Sequence, residues 1–353
     1  MTNAKPQRRW FHLTSNRLVI GLLAVEGFLL LSERFDWFPS NEKKGWTVLI
    51  AVASVVLVML LLVVWFVASL ILRWRFQFGV RSLFVLALAV AISCSWLVIQ
   101  WQQAKEQKAA VEGIEESGGW ARVEYDYQRD EAGNWIQNAE PPGPEWLRKV
   151  LGDEFFTNVV GVSLSGNETD PGLNWLEDLP KLERLHLSGA TDAALGHVNR
   201  LSQLKEMDLR STEVTDAGLA HLEGLSQLRS LNLVHTEITD VGLARLKGLV
   251  QLQDLNLGAT HLTDAGLKYL GGMTQLQVLY LDRNGITDAG LGCLKRLRQL
   301  RHLDLNWTMI TDAGLEHLSG LSQLQVLDLT ATQVTDTGIK KLQQALPNCK
   351  IIR

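Results

Sequence analysis

Apolar residues follow two different rules along this chain. Before about residue 101 they come in long unbroken runs, and from residue 169 onward they come as spaced leucines that recur on a fixed period. Residues 47–72 are 26 consecutive uncharged positions rich in Val, Leu, Ile and Ala. As a helix rising ~1.5 Å per residue, that run exceeds the ~30 Å hydrocarbon core of a bilayer. Residues 82–104 give 23 more uncharged positions, apolar from 83 to 101, with Trp96 and Trp101 near the end where an interfacial aromatic belt sits. Residues 18–31 form a shorter run interrupted by Glu26, which reaches spanning length only if it continues to residue 38 past Glu33, Arg34 and Asp36. The pattern therefore predicts a membrane domain over residues 1–104 with helices 18–38, 47–72 and 83–101.

The basic stretch before residue 18 also resembles the start of a secretory signal. The SERFDWF that follows the apolar run has no small-residue cleavage site, which favours a retained span. Lys and Arg in the short loops favour a cytoplasmic N-terminus, with Arg73, Arg75 and Arg81 on the same side and everything after Trp101 outside. If residues 18–31 lay on the membrane instead of crossing it, the N-terminus and the C-terminal half would share a side. Glu26 is read as a boundary group of an anchor, because the other two spans offer only weakly polar side chains to a transport pathway.

The second half repeats. TDAGL or a close variant begins at Thr191, Thr215, Thr239, Thr263, Thr287, Thr311 and Thr335, every 24 residues, and a shortened unit begins at Thr169. Within each unit the leucines are first three apart, as in Leu219, Leu222 and Leu225, and then two apart, as in Leu231 and Leu233. Those are one face of a helix followed by one face of a strand. Neither element can bury its leucines alone, so the units must stack into a solenoid with one continuous core. Asp216, Asp240, Asp264, Asp288 and Asp312 are expected to cap the helices, and Gly224, Gly248, Gly272 and Gly320 to end them in left-handed geometry. The column Thr212, Thr236, Thr260, Asn284, Thr308, Thr332 is expected to satisfy turn backbone groups from inside.

These positions resemble the leucine-rich-repeat family. Its L-x-x-L-x-L-x-x-N/C core is matched by Leu228, Leu231, Leu233 and Thr236, with Thr in place of the usual Asn or Cys. The resemblance implies an α/β leucine-rich-repeat solenoid, a right-handed arc of about eight strand-helix coils over residues 161–353, closed by a C-terminal cap from about 335. The layout as a whole, with RFQFGVRSL, GGWARVEYDYQ and PPGPEWLRKVLGDEFF between the last span and the first coil, is similar to bacterial membrane-anchored leucine-rich-repeat proteins, a group that supplies no activity to carry over.

Residues 105–119 read as a helical linker ending at Gly118 and Gly119. Residues 120–160 read as an N-terminal cap: ARVEYDYQ as a strand, NWIQN as its hairpin partner, and PEWLRKVLGDEFF as a short helix with Trp146, Leu147, Val150 and Leu151 inward. Charge follows the same division. Residues 1–101 carry ten Lys or Arg against four Asp or Glu, while the remainder carries 24 against 34. The acidic excess disfavours a nucleic-acid partner.

Catalytic motifs are lacking, and no cofactor is expected. His197 and His221 share a helix column, yet a zinc site there would need further ligands. An enzyme sited in the cap would have to draw on Tyr125, Asp126 and Glu154. The informative side chains flank the strand leucines, because alternation sends them to the concave face. In the C-terminal coils Asp254, Tyr280, Asp282, His302, Asp304, Asn306 and Asp328, with Arg283 and Trp307 one step further on, gather acidic, basic and aromatic groups as interface hot spots do. The sequence thus predicts a non-enzymatic, membrane-anchored recognition protein, in a bacterial inner membrane with its repeats extracytoplasmic. It would bind a basic or amphipathic protein or peptide. The alternatives are the sensor domain of a transporter or signalling unit, and an architectural envelope protein.

Overall fold

The computed structural model describes residues 80–123, 141, 144–165 and 171–353. The chain divides into two compact units, Met1–Lys105 with Tyr127–Thr157, and Glu106–Asp126 with Asn158–Arg353. The predicted spans 18–38 and 47–72 lie outside the described residues, as does NWIQN. The predicted span 83–101 falls within helix α1, Val80–Glu116, of which most side chains before residue 97 are undescribed. Among the described residues, no helix is long and apolar enough to cross a membrane.

In the first unit, α2 (Glu145–Leu151) is followed by a 3-10 turn, Asp153–Phe155. Leu147, Phe155 and Phe156 form a small buried cluster against Leu97, Ala104 and Leu151, the two Phe rings meeting edge to face at 5.3 Å. Trp146 and Val150 were expected inward and are exposed instead. A seven-residue helix buries one i, i+4 row; Leu147 and Leu151 occupy it, leaving the neighbouring Trp146–Val150 row in solvent.

The second unit is a solenoid. Among the described residues its sheet has ten strands in sequential order: β1 (Trp120–Val123), β2 (Val159–Ser165), β3 (Arg184–Ser188), β4 (Glu206–Asp208), β5 (Ser230–Asn232), β6 (Asp254–Asn256), β7 (Val278–Tyr280), β8 (His302–Asp304), β9 (Val326–Asp328) and β10 (Lys350–Ile352). Neighbours from β2 to β10 are parallel in unshifted register, so Leu231, Leu255, Leu279, Leu303 and Leu327 form one column. Only β1 is antiparallel, and it covers the free edge of β2. The last three turns of α1 pack on the same end: Ala110 and Ile114 are fully buried in the core, and the Gln107 side-chain oxygen accepts the Val159 N–H at 3.2 Å. The helix then stops at Gly118, whose φ of +85° suits glycine. At the far end α7 (Asp336–Ala345) and β10 close the stack, burying Leu342, Leu346 and Cys349.

Each central coil returns from its strand through a short helix, α3 (Asp240–Arg245), α4 (Asp264–Leu267), α5 (Asp288–Leu291) and α6 (Asp312–Leu315), continued by a 3-10 turn. The cap of each is the threonine of TDAGL and not the aspartate. Thr263 Oγ1, for example, accepts the Ala265 N–H at 3.3 Å. The aspartate, one position inside the helix, reaches instead to the following coil: Asp264 Oδ1 accepts the Thr287 N–H at 2.8 Å and Oδ2 accepts the Thr287 hydroxyl at 2.5 Å. The same pair of bonds joins Asp192 to Thr215, Asp216 to Thr239, Asp240 to Thr263, Asp288 to Thr311 and Asp312 to Thr335. The glycine of TDAGL leaves room for this bridge, since a Cβ at Gly290 would lie 2.3 Å from Asp264 Oδ1.

The left-handed positions also differ from expectation. Gly224, Gly248, Gly272 and Gly320 do not have positive φ; Ser211, His235, Ala259, Arg283, Trp307 and Ala331 do, at +49° to +57°. These residues turn the chain just past each strand, where the backbone continues the parallel ladder, as in Arg283 N–H to Asn306 O at 2.9 Å. Beneath them the polar column does what the sequence predicts: Thr212, Thr236, Thr260 and Thr308 are buried and donate to the carbonyl three residues back. Asn284 goes further. Its amide nitrogen donates to Leu257 O at 2.7 Å and Leu281 O at 3.2 Å, while its oxygen accepts the Leu262 N–H at 3.0 Å, tying two coils together.

Candidate functional site

The open face of the sheet is built from three columns that alternate with the buried leucines. Strand register sets Asp254, Val278, His302 and Val326 side by side, then Asn256, Tyr280, Asp304 and Asp328. Gly258, Asp282, Asn306 and Thr330 follow in the third column. All nine residues predicted from the sequence lie along this face or the turn at its edge.

Its two ends have different electrostatics. Toward the N-terminal coils the charges are matched: Arg184 meets Glu206 at 3.1 Å, His186 meets Asp208 at 3.4 Å, and Arg210 hydrogen-bonds Asp208 through side chain and backbone. Burial pushes the Asp208 carboxyl upward, but those bonds from Arg210 and the positive charges of Arg210 and His186 outweigh it and hold it below the ordinary carboxylate value. Toward the C-terminal coils Asp254, Asp282 and Asp304 gather around Tyr280, with Asp328 on the next strand beyond Asp304, and among the described residues no salt bridge neutralises them. Burial raises Asp304, and the charges of Asp282 and Asp328 raise it further against the opposing Asn306 N–H and His302. Burial raises Asp282, a backbone N–H and the charges of Arg283 and His235 oppose that, and Asp328 adds a smaller upward push. Burial also raises Asp254, with Glu206 adding to it and His302 opposing. The Tyr280 hydroxyl is raised by burial and then by Asp254, Asp304 and Asp282.

Local structure explains how these groups are held. Asp208, Asn232, Asn256, Asp304 and Asp328 each accept the backbone N–H two residues on, at 2.8–3.2 Å, which braces the bend after the strand. Tyr280 occupies the same column and cannot make that bond. The Asp282 carboxylate leans over Gly258, where a Cβ would lie 2.2 Å from Oδ1. The Tyr280 ring packs on His302 at 5.1 Å between centroids. Among the described residues, Asn306 Oδ1 is buried without a hydrogen-bond partner.

At the adjoining edge Trp307 is 61% exposed and Met309 50% exposed, with the Arg283 guanidinium 6.0 Å from the Trp307 ring centre. Met309 was missed in the sequence, although it puts an apolar side chain into a column otherwise held by Glu213, Glu237, His261, Gly285 and Gln333. Gly258 was also passed over, because its role depends on the neighbouring coil. Elsewhere on the unit, Lys295, Arg296, Arg298 and Arg301 form an exposed basic stretch on the opposite edge. An open depression of about 500 Å³ on the helix side is lined by Glu223, Val241, Arg245 and Lys247. Among the described residues there is no group of His, Cys, Asp and Glu that could hold a metal ion.

The Leucine rich repeat family profile matches residues 202–262 and 274–334. Solved structures similar to this chain include an internalin (inlF) from Listeria monocytogenes, 23% identical over 54% of this chain at a TM-score of 0.42. Another is an internalin C2 from the same organism, 27% identical over 51% of this chain and 72% of its own, at a TM-score of 0.40. This chain spans 57% of the length of the first of these internalins. No curated protein matches the chain.

Proposed function

We propose that this chain, whose C-terminal half carries leucine-rich repeats, is a membrane-anchored and non-enzymatic recognition protein that binds a protein partner on the open face of its sheet. The observation that carries the reading is the set of carboxylates around Tyr280, bordered by exposed Trp307 and Met309. Solvating a sheet requires polar side chains; it does not require two large apolar ones left in water. The uncharged runs at 47–72 and 82–104, with residues 18–38 as a third span, support the anchor, and the distribution of Lys and Arg over the loops of those three spans supports an extracytoplasmic repeat domain in a bacterial inner membrane.

Two experiments test the reading. A photo-crosslinking amino acid placed at position 280 or 307 in cells is expected to give a discrete protein adduct, and the same group at Lys247 on the helix side is expected to give none. Adducts only at 247, or at none of the three, would refute the face. For the topology, a variant with Cys293 as its sole cysteine is treated with a membrane-impermeant thiol reagent. Labelling of intact cells is expected; labelling only after lysis would put the repeats inside.

A further inference from the structure

We propose that the open face at β7 and β8 receives an extended segment of its partner that carries an arginine and, two residues away, a large apolar side chain, the first against Tyr280, Asp282 and Asp304 and the second on Trp307 and Met309. This rests on the proposed function and specifies the partner that face takes.

The charge comes first. The same three columns hold matched ion pairs at β3 and β4, through Arg184, His186 and Arg210, and unmatched carboxylates from β6 to β9. The nearby positive groups offset them only in part: Arg283 and His235 act on Asp282 and His302 on Asp254 and Asp304, yet among the described residues none forms a salt bridge with them, Arg283 lying over the Trp307 ring and His302 against Tyr280. Asp304 and Asp328 stand directly opposite each other on neighbouring strands, an arrangement that destabilises a sheet unless a cation comes between. Among the described residues no salt bridge supplies that cation, and a partner's basic side chain would.

The aromatic residues give the charge its geometry. Tyr280 displaces an Asp or Asn that braces the bend in the coils on both sides, so the column loses a structural hydrogen bond to gain a ring. A planar guanidinium can stack on that ring and hydrogen-bond the flanking carboxylates at once, which a lysine ammonium does less well. Gly258 keeps the Asp282 carboxylate in place beside the ring, and Gly285 leaves the position next to Met309 without a side chain.

Spacing fixes the second anchor. Asp304 and Trp307 are three residues apart along one coil, which at ~3.3 Å per residue sets an upper limit of ~10 Å that the left-handed turn shortens. Side chains two apart on an extended segment face the same way ~7 Å apart, whereas those four apart are separated by ~13 Å and overshoot.

The probe is a random linear peptide library displayed on phage and panned against the full chain in nanodiscs. Enriched peptides are expected to share Arg or Lys, any residue, then Leu, Ile, Phe, Met or Trp. A synthetic peptide of that type is expected to bind at least tenfold more weakly after Asp282→Asn with Asp304→Asn, after Trp307→Ala, or after replacement of its own Arg by Gln. Peptides that lose binding with Tyr280→Ala yet contain no basic residue would overturn this inference and leave the face as the binding site. Acidic peptides abolished by Arg296→Ala with Arg298→Ala would shift binding to the basic edge and overturn it as well. An absence of enrichment would also overturn it, since a linear segment is asserted to suffice, while the crosslinking result at positions 280 and 307 would still decide the broader reading.

Discussion

Replacing Asp264 with Ala should cost far more than loss of a helix cap, because its carboxylate bridges two coils. It accepts the Thr287 N–H at 2.8 Å and the Thr287 hydroxyl at 2.5 Å in a half-buried setting. A hydrogen bond to a charged group contributes ~1.5–3 kcal/mol, and the amide left without a partner adds to the loss, so about 2–4 kcal/mol is expected. Asp336 is the internal control. It occupies the same position in the last repeat but has no following threonine, and among the described residues it meets only Arg353 at the surface. Asp336→Ala should therefore cost only the helix-dipole contribution and an exposed ion pair, under ~1 kcal/mol each. Urea unfolding of the full chain followed by far-UV circular dichroism would measure both. In a double-mutant cycle Asp264→Ala and Thr287→Val should be coupled by at least ~1 kcal/mol, because they share one bridge. Gly290→Ala tests the sign independently. Helix propensity predicts stabilisation by ~1 kcal/mol, whereas a Cβ 2.3 Å from Asp264 Oδ1 predicts destabilisation. Equal small losses at Asp264 and Asp336, with no coupling and a stabilising Gly290→Ala, would refute the bridge.

Other consequences can be checked in the same assay. Asn284→Ala should cost about 2–4 kcal/mol by stranding Leu257 O and the Leu262 N–H, while Asn284→Thr, which restores the residue used by other coils, should recover about half. Trp307→Gly should not destabilise and should gain up to ~1 kcal/mol, since the residue sits at φ +54° with its ring in water. The raised carboxyls of Asp254, Asp282 and Asp304 mean that the native state binds their protons more tightly than the unfolded chain does. They oppose folding at neutral pH, and that opposition fades as pH falls toward the ordinary value of 3.8. Asp282→Asn with Asp304→Asn should therefore be more stable than the parent at pH 7, by roughly 0.2–1 kcal/mol per opposed pair, with the gap closing by about pH 4. Asp208 has the reverse sign: its contribution is complete above 3.8 and is lost on acidification below it, so Arg210→Ala should matter least at low pH.

The 24-residue spacing alone determined the solenoid, because leucines three apart and then two apart can be buried only by stacking identical coils in register. It also placed Asp254, Tyr280, Asp282, Asp304 and Asp328 on one face, since strand alternation is a local property. The Thr column under the turns was legible for the same reason. What the sequence could not supply was any relation between one coil and the next. Asp264 reads as a cap within its own repeat, and only stacking brings it against Thr287, 23 residues later. The glycine of TDAGL looks like a helix weakness until the preceding coil's carboxylate is seen in the space its missing side chain leaves. Left-handed geometry fell on Ser, His, Ala, Arg and Trp instead of the expected glycines, because the parallel ladder beyond each strand fixes the turn whatever residue occupies it. The contrast between matched charges at β3 and β4 and unmatched ones from β6 to β9 likewise belongs to the tertiary structure. Whether a carboxylate meets a cation or another carboxylate depends on its neighbours across strands, and those neighbours are a full coil away in the chain.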